Sequence, residues 1–309
     1  MKRLIATVGM PRQQWLQVRR TGVCGSDASI ILGINKYKSS LALWKEKTNQ
    51  VPIEENVTNF THFGHVMEPI IKKEFTNRTG LKVRSVNFVL QSDIYEWMLA
   101  DIDGVVKEED GSYSLFEAKT ATEFKKDVWE EHVPEEYYAQ VQHYLFVTGF
   151  KKAYVCAIVG GNTYFCHEIM RDEEYITMLV EKEKEFWECV IQNVQPLPDG
   201  SKATSQYLNE LYSEAMNEEV DLPENAEELA QTYISLEGQI KVLNEKKETV
   251  TNMLKDLIKD NEKGRAGKHI ILWKSITKKS LNTTKAKSML GDAYDECITE
   301  STYRRFSVA

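Results

Sequence analysis

Residues 99–120 constrain the fold of this 309-residue chain more than any other stretch. Leu99-Ala-Asp-Ile-Asp-Gly-Val-Val106 and Tyr113-Ser-Leu-Phe-Glu-Ala-Lys-Thr120 alternate apolar and polar positions on either side of Asp110-Gly111. Alternation around an Asp-Gly turn signal reads as two β-strands joined by a polar hairpin. Residues two apart on a strand share a face, so Glu117 and Lys119 point together while Ala118 turns away. The same rule puts Asp101 on the face of Asp103; Asp103 is the stronger candidate because Gly104 beside it lets a substrate backbone approach. Carboxylates and an ammonium gathered on one sheet face are costly, and like charges are tolerated where a cation sits between them. Oxygen donors of this kind suit magnesium.

Bulk properties narrow the class. With 42% hydrophobic and 28% charged residues the composition is that of a globular protein. No apolar run approaches the roughly 20 residues of a membrane helix, and the apolar start after Lys2-Arg3 is too short for a signal peptide. Five scattered cysteines (24, 156, 166, 189 and 297) without a Cys-x-x-Cys pair point to reduced thiols, a cytoplasmic setting and no zinc. The net charge of −8 is unevenly spread: residues 264–309 hold nine Lys/Arg against four Asp/Glu, a net of +5, leaving −13 on the rest. Only charges within a Debye length of a phosphate matter to its binding, so acidity does not exclude nucleic acid.

From the N-terminus, Trp15, Leu16 and Val18 begin a helix, followed by Arg19-Arg20-Thr-Gly-Val-Cys-Gly-Ser26-Asp27 and the apolar Ala28, Ile30, Ile31 and Leu32. Two arginines, a glycine turn and a Ser-Asp helix start make an anion site, with Ser26 or Asp27 as the N-cap. The same residues also describe a plain capped helix with solvated arginines. Lys36 and Lys38, in the loop past Gly33, suit a phosphate or solvent equally. Residues 60–79 read as a helix with Gly64, Glu68, Ile71 and Phe75 on one face, Gly64 admitting a close backbone neighbour. Pro69 implies a kink or a helix start near Glu68. A carboxylate on that stripe needs a partner, either a Lys or Arg or a metal shared with Asp103 and Glu117. His62 and His65 read as surface residues.

Val86–Leu90 and Tyr95–Leu99 read as paired strands. Lys125 and Lys126 fall in a polar segment, and a helix over 137–148 carries Tyr137, Gln140 and Tyr144 on one stripe. A Gln between aromatics must find a hydrogen-bond partner, and beside a metal–phosphate site it would orient water or a phosphate oxygen. A hairpin around Gly160-Gly161-Asn162 and an amphipathic helix over 172–194 follow. Pro196-Leu-Pro-Asp-Gly200 marks a boundary. Leu229, Tyr233, Leu236, Ile240, Leu243, Val250, Leu254 and Leu257 then form a heptad stripe broken at Lys247 and ended by Gly264. A strand over 269–277 and a basic tail with Trp273, Tyr303 and Phe306 close the chain; such a tail stacks on bases or merely solubilises. The expected organisation is a domain over 1–200, a helical segment over 201–263 and a basic strand and tail over 264–309.

Trp15 through Gly33, Gly64-x-x-x-Glu68, Asp103-Gly104, Glu117-Ala-Lys119 and Tyr137-x-x-Gln140-x-Gln142 stand together over residues 10–170. In this order they resemble the YqaJ-like viral recombinase family, PD-(D/E)xK nucleases of the lambda exonuclease type. The resemblance implies an α/β fold, a mixed sheet flanked by helices with a restriction-endonuclease-like core. It implies a magnesium-dependent 5′→3′ exonuclease acting on linear double-stranded DNA and leaving 3′ single strands for recombination. By position, Glu68, Asp103, Glu117 and the Ala118 carbonyl would bind metal, Lys119 would position or deprotonate the attacking water, and Gln140 would support the site. Arg19, Ser26 and Lys125 would take the terminal 5′-phosphate. Two Mg2+ ions are expected, with Mn2+ as a substitute, and a cation beside Lys119 would lower its pKa. The partners implied are a single-strand annealing protein and further copies of the chain in a trimeric ring. The alternatives are an endonuclease or repair nuclease of the same fold, or a non-catalytic DNA-end or partner-binding module.

Overall fold

The computed structural model describes residues 1–53, 58–291, 293–299 and 302–308, and the chain divides into two compact units, Met1–Leu211 and Tyr212–Ala309. In chain order the first holds β1 (Lys2–Ala6), α1 (Arg12–Arg20), β2 (Val23–Cys24), α2 (Gly25–Ile31), α3 (Ser40–Lys47), α4 (Asn59–Thr79), β3 (Val83–Arg84) and β4 (Phe88–Gln91). It continues with β5 (Met98–Ala100), β6 (Gly104–Lys107), β7 (Tyr113–Ala121), α5 (Lys126–Glu131), α6 (Glu135–Thr148), β8 (Lys152–Val159), β9 (Thr163–Met170), α7 (Glu173–Ile191) and α8 (Lys202–Leu211).

A five-stranded mixed sheet of order β3-β6-β7-β8-β9 forms the frame, with β7 parallel to β8 and the other neighbours antiparallel. Its alternating residues feed two cores. Leu115, Val155 and Ala157 pack with Val141, Tyr144 and Leu145 of α6 and with Trp129, while Phe116 and Cys156 pack with Ile71 and Phe75 of α4. The sheet is thus flanked by helices, as the α/β expectation requires. A second sheet, β1-β4-β5-β2, carries the N-terminal elements.

The expected strand over 99–106 is in fact two. Ala100 pairs with Leu90 in the second sheet and Gly104 pairs with Phe116 in the first, so Asp101-Ile-Asp103 carries the chain from one sheet to the other. Asp101 and Asp103 therefore share no strand face. A side chain at Gly104 would meet Val83 Cγ1 at 2.6 Å and the Arg84 carbonyl oxygen at 3.0 Å, so β3, not a substrate, demands glycine there. The structure also corrects Gly64: nothing lies within 4 Å of where its Cβ would stand. α4 runs through Pro69 with Glu68 in mid-helix.

The first unit extends past the Pro-rich segment at 196–200 because α8 packs on α3. Ala203 and Thr204 are buried, Ser40 Oγ donates to Asp199 at 3.4 Å, and Lys45 stands 5.6 Å from the Tyr207 ring centre.

The second unit comprises α9 (Asn225–Ile258), β10 (Lys263–Ala266), β11 (His269–Leu272), α10 (Thr283–Leu290) and α11 (Ala293–Glu296). α9 stops at Ile258, with Lys259 in a left-handed conformation, and Gly264 lies inside β10 rather than ending the helix. The strand expected over 269–277 closes at Leu272. The heptad stripe of α9 faces solvent, with Leu229, Leu236, Ile240, Leu243, Val250 and Leu257 all exposed. Among the described residues no helix is long and apolar enough to cross a membrane.

Candidate active site

β7 places Glu117 and Lys119 on one face, two residues apart, and the side chains meet: Lys119 Nζ lies 2.6 Å from Glu117 Oε1. Gln140, one turn before Tyr144 on α6, closes the triangle. Its Nε2 donates to Glu117 Oε1 at 2.8 Å and to the Tyr144 hydroxyl at 3.1 Å, and its Oε1 accepts from Lys119 at 3.1 Å. The stripe read on this helix thus supplies the partner that a buried Gln requires. Lys119 also sits 4.9 Å from the Tyr137 ring centre, a cation–π distance.

The triangle leaves one atom over. Glu117 is buried, its Oε2 has no hydrogen-bond partner among the described residues, and burial pushes its pKa up against the pull of Lys119. Asp103 is placed by the link between the sheets so that its Oδ2 accepts the Ala118 N–H at 2.8 Å. Burial first, then the charges of Glu117 and Glu68, drive its pKa well up. Burial alone would lower the Lys119 pKa, but Glu117 and Asp103 outweigh it and raise it. The ammonium is the state that this arrangement holds.

Glu68 is half-buried and engaged by its helical neighbour Lys72 at 2.5 Å, the local partner for a carboxylate on such a stripe. Among the described residues no three His, Cys, Asp or Glu side chains stand close enough together to hold a metal ion as they are. The donor chemistry nonetheless fits a hard cation. Glu117 raises the proton affinity of the half-buried Asp103, and among the described residues one buried Glu117 oxygen is unsatisfied.

The second cluster lies at the junction of α1 and α2. Arg19 Nη2 donates to Ser26 Oγ at 2.5 Å, and the Arg19 guanidinium stands 4.5 Å from the Trp15 ring centre. The Trp15 indole N–H donates to Asp101 Oδ2 at 2.6 Å. Burial would lower the Arg19 pKa, but Cys24, Asp27, Tyr144 and Asp101 together keep it charged. The N-cap of α2 is Cys24, not Ser26 or Asp27. Asp27 stands at N3 and accepts the Cys24 N–H at 2.9 Å, which leaves the Ser26 hydroxyl to face Arg19. Arg19 lines a cavity of about 490 Å3 with Arg12, Trp15, Arg20, Lys38 and Lys45. The two clusters adjoin: the Tyr144 ring fills the space a Cβ on Gly25 would need, and its hydroxyl receives Gln140.

Two buried pairs escaped sequence reading. Lys47 Nζ donates to the Arg19 carbonyl at 2.7 Å, the Gly22 carbonyl at 2.7 Å and Asp27 Oδ2 at 2.6 Å, tying the end of α1 to the start of α2. The only sequence signal was a Lys in the last helical turn, where cations are favoured. Both ring nitrogens of His143 are engaged, Nδ1 with the Glu183 carboxylate at 2.8 Å and Nε2 with the Leu99 carbonyl at 2.9 Å, and Glu183 raises the His143 pKa against its burial. Gln142 pins α6 to the start of α7 through the Met170 carbonyl and the Asp172 N–H, a structural role. Lys125 lies in a short turn after β7, and among the described residues no hydrogen bond or ion pair joins it to Arg19 or Ser26. His62 and His65 are exposed.

Residues 14–151 match the YqaJ-like viral recombinase domain. A relative from Bacillus subtilis (strain 168), the uncharacterized protein YqaJ, is 38% identical over 304 residues, 97% of this chain and 94% of that one. An alkaline exonuclease from Laribacter hongkongensis, LHK-Exo, is 18% identical and superimposes over 65% of this chain and 97% of its own with a TM-score of 0.49. The structure of LHK-Exo with dAMP covers the same shares, and its TM-score of 0.50 shows a common fold. By its match over nearly the whole length of that bacterial relative, the chain belongs to the YqaJ-like viral recombinase family.

Proposed function

We propose that this protein is a metal-dependent 5′→3′ exonuclease that degrades one strand of linear duplex DNA from 5′-phosphorylated ends. The observation that carries the reading is the buried Glu117 with its unsatisfied oxygen, held by Lys119 and Gln140 and adjoining the Arg19–Ser26 cluster. Glu117, Asp103, Glu68 and the Ala118 carbonyl would hold magnesium, and Glu68 must leave Lys72 to join. Bound there, the ion supplies an activated water and charge stabilisation at the phosphate, the two needs of phosphodiester hydrolysis.

The chain's own residues divide the remaining work. Arg19 and Ser26 present a fork and a hydroxyl to the terminal 5′-phosphate, with Lys125 as an outer cation. Lys119 holds a proton at Nζ, orienting the attacking water and screening the charge that grows on the scissile phosphate. Gln140 fixes Glu117 and Lys119 relative to each other. Water adds to phosphorus, the bond to the 3′-oxygen breaks, and the leaving oxygen takes a proton. The new end carries a 5′-phosphate, so each product refills the Arg19–Ser26 site. The implied consumer of the remaining 3′ strand is a single-strand annealing protein, and a ring of copies around the duplex would keep the enzyme on its track.

The test is digestion of a linear duplex labelled separately at each 5′ and 3′ end, with and without magnesium, alongside a covalently closed circle. Magnesium-dependent release of 5′ label as mononucleotides with the circle intact is expected. A cut circle identifies an endonuclease instead. A mobility shift without cleavage identifies a binding module.

A further inference from the structure

Cys156 and Cys166 are directly opposed across the antiparallel pair β8–β9. Opposed residues in such a pair stand about 4.5–5.5 Å apart at Cα, inside the roughly 4.4–6.8 Å that a disulfide spans. The side chains already face each other, since Cys156 Sγ donates to Cys166 Sγ at 2.8 Å. The two differ in access: Cys156 is buried in the core beneath α4, and Cys166 is exposed. The bond donated by Cys156 also favours the Cys166 thiolate against burial. Cys24, Cys189 and Cys297 have no such neighbour among the described residues.

We propose that Cys156 and Cys166 form a reversible cross-strand disulfide when the protein meets a low-molecular-weight disulfide such as oxidised glutathione. The exposed Cys166 thiolate attacks one sulfur of the reagent, whose S–S bond breaks, and one small thiolate leaves with the electron pair. The Cys156 thiol then gives up its proton, its sulfur attacks Cys166 and the second small thiolate leaves. The two protons released protonate the two departing thiolates. Two protein thiols are oxidised to one cystine, and one small disulfide is reduced to two thiols.

The location gives the bond a consequence. β9 is the edge of the five-stranded sheet, and Cys156 pairs in register with Ala118 on β7, between Glu117 and Lys119. Oxidation therefore staples the free edge to the strand next to the site, tightening the frame on which the site rests.

The full chain would be incubated with oxidised glutathione, alkylated with iodoacetamide and digested with trypsin. No Lys or Arg lies between Lys152 and Arg171, so both thiols fall in the peptide 153–171. That peptide should appear unalkylated and two hydrogens lighter, and it should take two alkyl groups after dithiothreitol. The Tm should rise on oxidation and return on reduction, and should not move in C166S, a conservative change at an exposed position. A doubly alkylated peptide under conditions that oxidise free dithiothreitol would overturn the proposal. So would a glutathione adduct that stays on Cys166 without passing to Cys156.

Discussion

Two buried charge clusters stand side by side in the first unit, and they are finished to different degrees. At the α1–α2 junction Lys47 uses all three of its protons, on two carbonyls and Asp27, and the Asp27 pKa falls to about 2 against its burial because Lys47, Arg19 and Lys38 favour its charge. At β6–β7 the charges are left unbalanced: Asp103 is driven up by burial and by Glu117, and Glu117 Oε2 has no partner among the described residues. A closed cluster is worth what it contributes to stability. An open one costs stability and is retained where a ligand completes it, which is why the second carries the proposed chemistry and the first a positioning role.

Opposite responses to charge removal would test that contrast most strongly. Asp103→Asn keeps an acceptor for the Ala118 N–H while removing a disfavoured charge. Cleavage should fall by at least about 10^3-fold, the loss of several kcal/mol of metal-centred stabilisation, while the Tm without metal rises. Initial rates on end-labelled duplex and thermal melts read both. A fall in both would make Asp103 a structural residue and end the comparison.

Lys47→Met is the mirror image. It strands a buried carboxylate and two carbonyls, so stability should drop by about 3–5 kcal/mol, measured by urea unfolding. The double variant Lys47→Met with Asp27→Leu should recover much of that loss. It should not recover the preference for 5′-phosphorylated ends, because the Arg19 and Gly22 carbonyls at the end of α1 still lack the Lys47 ammonium.

The parts of the fold and site that are legible in the sequence are those whose determinants are local. Glu117 and Lys119 were legible because a strand puts residues two apart on one face, and Gln140 because a helix stripe of aromatics must satisfy it. The break between β5 and β6 does not show in the sequence, since Asp101, Ile102 and Asp103 alternate as a strand would and only pairing with different neighbours, Leu90 and Phe116, sends the two halves to different sheets. The Cys24 cap was missed because thiols rank low among capping residues. Glu68 stands on the helix face of Ile71 and Phe75, and its partner there is Lys72 one turn on, a local pair rather than the carboxylates of the sheet. The burial of Lys47 depends on Arg19, Gly22 and Asp27, 20 or more residues away, and no local pattern announces it.

The clusters should also part in acid. The Asp27 carboxylate sits below its ordinary value, so the stability it supplies is complete above about pH 4 and is lost as pH falls towards its folded pKa of about 2. The difference between the ordinary and folded values corresponds to about 2 kcal/mol. Denaturant midpoints measured from pH 5 to pH 2 should fall more steeply in the native chain than in Asp27→Asn. Parallel curves would show that Lys47 draws its hold on α1 from the carbonyls alone.

The smallest effect concerns the outer edge of the anion site. Arg19 is half-buried and its bond to Ser26 is charge-assisted, so Arg19→Ala should cost about 1.5–3 kcal/mol of preference for a 5′-phosphate over a 5′-hydroxyl, roughly ten- to a hundredfold. Lys125 is half-exposed in a turn, and among the described residues no hydrogen bond or ion pair joins it to that pair. An exposed cation is screened and must give up side-chain freedom to hold an anion, so Lys125→Ala should cost less than about 1 kcal/mol. Its effect should fade as salt is raised from low to physiological strength, while that of Arg19→Ala persists. The comparison to run is the ratio of cleavage rates on the two ends for each variant at two salt concentrations. Equal losses would place Lys125 inside the closed pocket and require the turn after β7 to fold over Arg19 when DNA binds.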